Sequence, residues 1–307
     1  MKEYGIDLHG AKLHLLEFNS QYPVIAVPMN QVSELSLALA VSRARGFPSI
    51  SSYCYKSDNE LIDVLNQFVS LSKSSNLILG IDEHLLLNNN VVTAIKDLKI
   101  SHVLRYFNEN PNTSVETKTQ CRIITEHVLQ TLPCQQIEMK QTFDKITDLT
   151  KIYFVKGSDA AGRTSATPTK ELFDYHRKLT PNAKLVPTGG IGTAEQVKYY
   201  INSGAVAVGL GTYFAASVES VLSMPVKAAM VAANNSNLSL LDTTLKQQGL
   251  IFKKFDEFDN ANHTTSLKIG IKSNADAGHI FAGHGINFIN TIDDVKSIIL
   301  KLTNLLK

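Results

Sequence analysis

Two stretches of the chain read alike: Lys184-Leu-Val-Pro-Thr-Gly-Gly-Ile-Gly-Thr193 and Ala205-Val-Ala-Val-Gly-Leu-Gly-Thr-Tyr-Phe214. Each carries a short apolar run into glycines and then into the start of a helix. Glycine lets a backbone pass close to a ligand, and the N–H groups that open a helix form an anion site. In a (β/α)8 barrel, a phosphate usually sits at the loops after the last two strands. Two such turns, separated by a single predicted helix at 194–203, therefore predict a phosphate cup. The simplest occupant is a flavin mononucleotide or a phosphorylated substrate.

Working outward, short apolar runs alternate with helical patterns, the signature of a parallel sheet with crossover helices. Strands are expected at 23–27, 47–51, 77–81, 102–107, 136–140, 152–156, 185–188 and 206–210. Helices are expected at 33–45, 60–71, 91–98, 115–132, 143–149, 170–179 and 194–203. Ser33, Ser36 and Thr193 stand where helix N-caps belong. The alternation breaks after Phe214. Helical segments at 225–233 and 240–248, with a polar stretch at 260–265, predict a small helical lid inserted after the eighth strand. A closing helix is expected at 292–306. The expected fold is thus an α/β (β/α)8 TIM barrel from 1–217 and 276–307, with a lid from 218–275.

Composition narrows the function classes. The chain has 307 residues, 44% hydrophobic and 19% charged, with a formal net charge of +2, as in an ordinary soluble globular protein. So small a charge gives no reason to expect a nucleic-acid or membrane partner; a small-molecule substrate is expected, and the oligomeric state stays open. Its three cysteines, Cys54, Cys121 and Cys134, form no C-x-x-C pattern, which fits a reducing cytoplasm. Met1 is followed by polar residues, so no secretory leader is expected. The histidines show no H-x-x-H or H-E-x-x-H spacing, and no metal site is expected.

After the sixth expected strand comes Gly157-Ser-Asp-Ala-Ala-Gly-Arg163. Gly157 permits close approach to a flat ring, and Arg163 suits an anionic substrate. Val27-Pro28-Met29, at the end of the first strand, would lay an apolar edge against a cofactor. Lys140, closing the fifth strand, is a candidate charge near the flavin N1/C2=O edge; an exposed, solvated lysine is the competing reading.

These residues resemble the nitronate monooxygenases, formerly called 2-nitropropane dioxygenases, and the related flavin enoyl-thioester reductases. The segment from Pro23 to Met29 is similar to the family's opening "P-I-I-x-A-P-M" strand. Gly157 to Gly162 resembles its "G-x-E-A-G-G" loop. Gly189-Gly190-Ile191 and Leu210-Gly211-Thr212-x-Phe214 resemble its two phosphate loops. Ala277 to His284 resembles its "A-G-x-x-x-A-G-Q" segment. The resemblance spans essentially the whole chain and is weak between Asn108 and Asp148. It implies an FMN barrel with the phosphate held by amides of Gly189, Gly190, Gly211 and Thr212. The isoalloxazine would lie near Pro28, Met29 and Gly157.

One departure bears on chemistry. The family's loop continues into a histidine, its proposed general base, and here Arg163 stands in its place. Arginine stays protonated and cannot abstract a proton in the usual way, but it can stabilise negative charge. His284, at the place of the family's glutamine, is the other catalytic candidate. The expected activity is FMN-dependent oxidation of a nitronate or similar small anionic carbon acid with O2. The alternatives are an NAD(P)H-dependent enoyl-thioester reductase and a flavin-binding homologue that has lost the ancestral reaction.

Overall fold

The computed structural model describes residues 17–106, 135–242, 247–251 and 263–306. In chain order the strands are β1 (Val24–Ala26), β2 (Ser49–Ser51), β3 (Ile78–Asp82), β4 (His102–Tyr106), β5 (Gln135–Lys140) and β6 (Ile152–Lys156). They continue with β7 (Gly162–Arg163), β8 (Lys184–Thr188), β9 (Val208–Leu210), β10 (Leu238–Asp242), β11 (Gln247–Ile251) and β12 (His279–Phe281). Eight of them form one parallel sheet in the order β1-β9-β8-β6-β5-β4-β3-β2. The sheet closes on itself through a parallel bridge between Ile25 and Phe47. There Ala26 N donates to Phe47 O at 3.0 Å, and Phe47 N to Val24 O at 2.8 Å. The expected eight-stranded barrel is the fold.

Period-two alternation decides which side chains fill it. Ile25, Ile78, Leu104, Ile137, Ile152, Phe154 and Val186 meet inside with Phe18 and Phe47. The intervening residues, such as Val24, Ala26, Val155, Leu185 and Val208, pack outward against the helix layer. That layer includes α1 (Leu35–Arg43), α2 (Asp58–Ser72), α3 (Asn89–Asp97), α4 (Thr169–Leu179) and α5 (Ala194–Asn202). Next come α6 (Thr212–Ala215), α7 (Met224–Ala232), α8 (His263–Lys272) and the closing α9 (Val295–Thr303). Thr193 caps α5 through a capping box with Gln196. Among the described residues no helix is long and apolar enough to cross a membrane.

Three local expectations need comment. The segment 143–149 is not a helix. Polar side chains divert its backbone: Thr142 Oγ1 donates to Asp144 Oδ2 at 2.5 Å, and Asp148 Oδ1 accepts from Thr150 N at 2.9 Å. The segment expected as a helix at 240–248 instead supplies strands β10 and β11, which pair antiparallel. The expected helix at 115–132 lies outside the described residues.

Strand β11 is the hinge between barrel and insertion. It pairs with β10 on one side, and on the other with β12 and with β7. The register sets Gln247 opposite Arg163 and Gln248 opposite Gly162. The segment after the eighth barrel strand is therefore joined by backbone ladder to the loop that follows β6, at the C-terminal end of the barrel. Strands on both sides of the expected 217/218 and 275/276 divisions contribute to this small sheet.

Candidate functional site

The first wall of the site is the turn after β1. Ser33 was expected to cap a helix; α1 begins later, and Glu34 at its N-cap makes no side-chain capping bond. The Ser33 hydroxyl, fully buried, instead accepts from Met29 N at 2.8 Å and donates to Val27 O at 3.2 Å. That brace holds Val27, Pro28 and Met29 half-buried at the rim. A Cβ on Gly211 would lie 3.3 Å from Val27 Cγ2 and 3.6 Å from Met29 Sδ. A Cβ on Gly80 would lie 2.6 Å from Pro28 Cβ and collide with the Tyr106 hydroxyl. The turn therefore spans from the ninth strand to the third and fourth.

The second wall is backbone from four loops. Gly189 and Gly190 adopt φ values of +119° and +69°, which side chains other than glycine rarely tolerate. A Cβ on either would come within 2.7 Å of Ala160 or Asp159, because the 157–163 loop packs directly on them. Gly283 N donates to Thr212 Oγ1 at 3.0 Å, and a Cβ on Gly285 would lie 3.3 Å from Ile191 O. The turns after β8 and β9 are thus neighbours, stitched together by residues 283–285. The amides of Gly192 and Thr193 are taken by Gln196 Oε1 at 2.8 and 3.1 Å. For the amides of Gly190, Ile191 and Gly211 no acceptor is found among the described residues.

Gly157 packs directly on the start of α4. It is buried, its amide donates to Thr169 Oγ1 at 3.2 Å, and a Cβ there would collide with the Thr169 backbone. The space freed by its missing side chain is filled by the first residue of α4. His284 lies at the glycine wall: its amide donates to Asp159 O at 2.8 Å, and its Nδ1 is 3.9 Å from Asp159 Oδ1. Asp159 Oδ2 is engaged by Thr169 N at 3.0 Å.

Arg163 belongs to another grouping. Its carbonyl accepts from Gln141 Nε2 at 3.2 Å, and its charge acts on Tyr53 and on Lys156. Tyr53 stacks on Tyr106 with centroids 4.9 Å apart and donates to the buried Asp82 Oδ2 at 2.9 Å. Burial, and then Asp82, pushes the Tyr53 phenol well above its usual range, with Arg163 opposing. The Tyr106 hydroxyl donates to Ser51 Oγ at 3.1 Å. Lys156 is brought down to about 8 by burial and by Arg163.

Lys140 falls outside both groupings. Ile137 points into the barrel core and Met139 packs against it, so Lys140 shares the opposite face with Glu138. Its charge is felt by His176 on α4. The residues missed by sequence reasoning are Lys156, Tyr53, Asp82 and Tyr106. Alternation along β6 would have found Lys156, two residues beyond Phe154. Among the described residues no group of His, Cys, Asp or Glu is placed to hold a metal ion.

No known family profile matches the sequence, and no curated protein matches it. The fold does have relatives among solved structures. FabK from Thermotoga maritima aligns with a TM-score of 0.74 at 18% identity, over 94% of this chain and 94% of its own. Nitroalkane oxidase from Streptomyces ansochromogenes aligns with a TM-score of 0.70 at 15% identity, over 95% and 97%. The enoyl reductase domain of MlnA, from the macrolactin cluster of Bacillus amyloliquefaciens, gives 0.64 at 10% identity, over 95% and 96%. At such identities the likeness establishes a shared barrel carried over nearly the full length of each chain.

Proposed function

We propose that this chain is a flavin-dependent oxidoreductase of the nitronate monooxygenase type. The observation that carries it is the meeting of the Gly189–Ile191 and Gly211–Thr212 backbones beside Val27, Pro28 and Met29 at neighbouring strand ends. The donor set fits the phosphate of FMN. Among the described residues nothing accepts from the amides of Gly190, Ile191 and Gly211, Thr212 keeps a hydroxyl proton to donate, and the nearby Asp159 carboxylate is engaged by Thr169. Gly189, Gly190, Gly211 and Thr212 would hold the phosphate, and Val27 to Met29 would border the ring. Bound there, the flavin supplies a two-electron acceptor.

The protein's own groups suit a substrate that arrives as an anion. Arg163 cannot take up a proton, and Tyr53, held neutral by burial and Asp82, is a weak acid at neutral pH. A nitronate is already deprotonated and asks for charge stabilisation, which Arg163 provides. Purified protein should be yellow, bleach on anaerobic addition of a nitronate, and regain colour in air. Colourless protein that refuses FMN would end this assignment.

The fold likeness to FabK and to an enoyl reductase domain supports a second reading, reduction of an enoyl thioester with NAD(P)H as donor. Rapid anaerobic bleaching by NADH or NADPH, with none by nitronate, would select it. Bound FMN that neither reagent bleaches would identify a binding homologue without the reaction.

A further inference from the structure

Strand β6 ends in a cation on the inner face of the barrel. Ile152 and Phe154 fill the barrel core, and alternation returns Lys156 to the same face at the last rung. There it pairs in register with Thr188, the residue before Gly189. Thr188 pairs in turn with Gly209, two residues before Gly211. Lys156 therefore stands one strand from the glycine turns after β8 and β9, on the side away from β1 and its Val27 to Met29 turn.

Its neighbours leave the charge uncompensated. Thr188 turns its hydroxyl to Val186 O at 3.3 Å and into the gap left by Gly209, where a Cβ would lie 2.4 Å from it. Met139, on the adjacent β5, is apolar and packs on the core. The position that a Cβ would take on Gly162 lies 4.0 Å from the Lys156 ammonium and 3.7 Å from the Phe281 ring. Glu138 of β5 is turned outward to Lys151, and Asp82 stands three strands away on β3. Among the described residues no carboxylate or other acceptor is hydrogen-bonded to Lys156.

A half-buried ammonium without a partner is costly, and burial holds its ionisation down, near 8, with Arg163 adding to the effect. At neutral pH it is still charged, and a ligand that turns negative in the mouth removes the cost. Flavin is such a ligand. Two-electron reduction by the substrate, with one proton taken up at N5, leaves a negative charge shared by N1 and the C2=O oxygen. The phosphate has its own donors in the glycine turns, so the ring is the part left for the lysine. We propose that Lys156 is the cation facing N1 and C2=O of the bound flavin, the role expected of Lys140, and that it favours the reduced state. This deepens the flavin reading given above and rests on it.

The test uses the FMN-loaded full chain, its midpoint potential read against a reference dye during slow reduction by xanthine and xanthine oxidase. K156M should lower the potential by about 30 mV or more, a tenfold change in the oxidised-to-reduced ratio of a two-electron couple. K156R should keep that ratio within about threefold of wild type, and so should K140M, whose side chain faces the helices. In FMN titration, K156M should bind oxidised flavin within about threefold of wild type.

A potential equal in wild type and K156M overturns the role, as does one that K140M moves as far. Weakened FMN binding with an unmoved potential also overturns it and assigns the ammonium to the phosphate. Where K156M folds poorly, NMR of wild type loaded with N1-labelled FMN decides. At a pH where free reduced FMN keeps its N1 proton, the bound reduced form should have lost it, and a protonated N1 overturns the role. Protein that refuses FMN ends the flavin assignment and this role with it. Bound FMN whose potential ignores K156M ends this role alone.

Discussion

At the residue scale the proposed function gives Arg163 the charge that meets the substrate. Arg163→Ala should leave flavin binding intact and raise KM for an anionic substrate by roughly tenfold or more, the scale of one charge-assisted contact. Steady-state kinetics on FMN-loaded protein checks it, and unchanged kinetics would remove Arg163 from the site. Lys156 adds a prediction about stability. Its ammonium titrates near 8 in the folded chain against an ordinary 10.5. Between those values the unfolded chain holds more protons, so stability rises with pH across the window and is reduced below it. Lys156→Met should therefore stabilise ligand-free protein at neutral pH, by on the order of 1–2 kcal/mol, and flatten the rise. Urea unfolding at several pH values reads both effects. Gly190 carries a physical constraint that the sequence did not reveal. A side chain there would strike Asp159, so the glycine admits the 157–163 loop as much as any ligand.

At the scale of elements, the strands were legible because alternation is local and each apolar run is short. The failures were equally physical. Residues 143–149 have helical spacing, but the Thr142 and Asp148 side chains turn the backbone by accepting from the amides two residues on. Leu238–Asp242 and Gln247–Ile251 form strands because β7 and β12 offer β11 a free edge, which no window around them can reveal. The Ser33 brace is the element-level device nearest the site. Ser33→Ala should lose two buried hydrogen bonds, cost about 1–3 kcal/mol and weaken FMN binding by loosening Val27 to Met29. Thermal unfolding and FMN titration measure it, and an FMN affinity equal to wild type would show the turn is held without that hydroxyl.

For the whole molecule, closure through Ile25 and Phe47 brings β1 beside both β9 and β2. A ligand seated there touches the first and last turns of the chain's barrel at once. FMN binding should therefore stabilise the whole barrel. With free FMN at about one hundred times its dissociation constant, unfolding should cost ~2.7 kcal/mol more, seen as a concentration-dependent rise in Tm. A Tm indifferent to FMN would speak against any native-state site. The glycine wall was largely visible in the sequence, since Gly189, Gly190, Gly211 and Thr212 do converge. The mouth was visible only through Arg163. Lys156 looked like the end of an apolar strand, Tyr53 like a loop residue, and Asp82 stood one position past an expected strand end.

The amino-acid order alone determined the alternating strands and helices, the glycine turns after the last two barrel strands, and an arginine where a base was expected. Those are properties of short segments, governed by side-chain period and by the backbone angles that glycine permits. Tertiary structure decided that Lys140 faces the helices while Lys156 faces the mouth, that the insertion carries a sheet, and that this sheet grips the strand bearing Arg163. Each depends on pairing between distant edges, which costs chain entropy until the closed barrel supplies the partner.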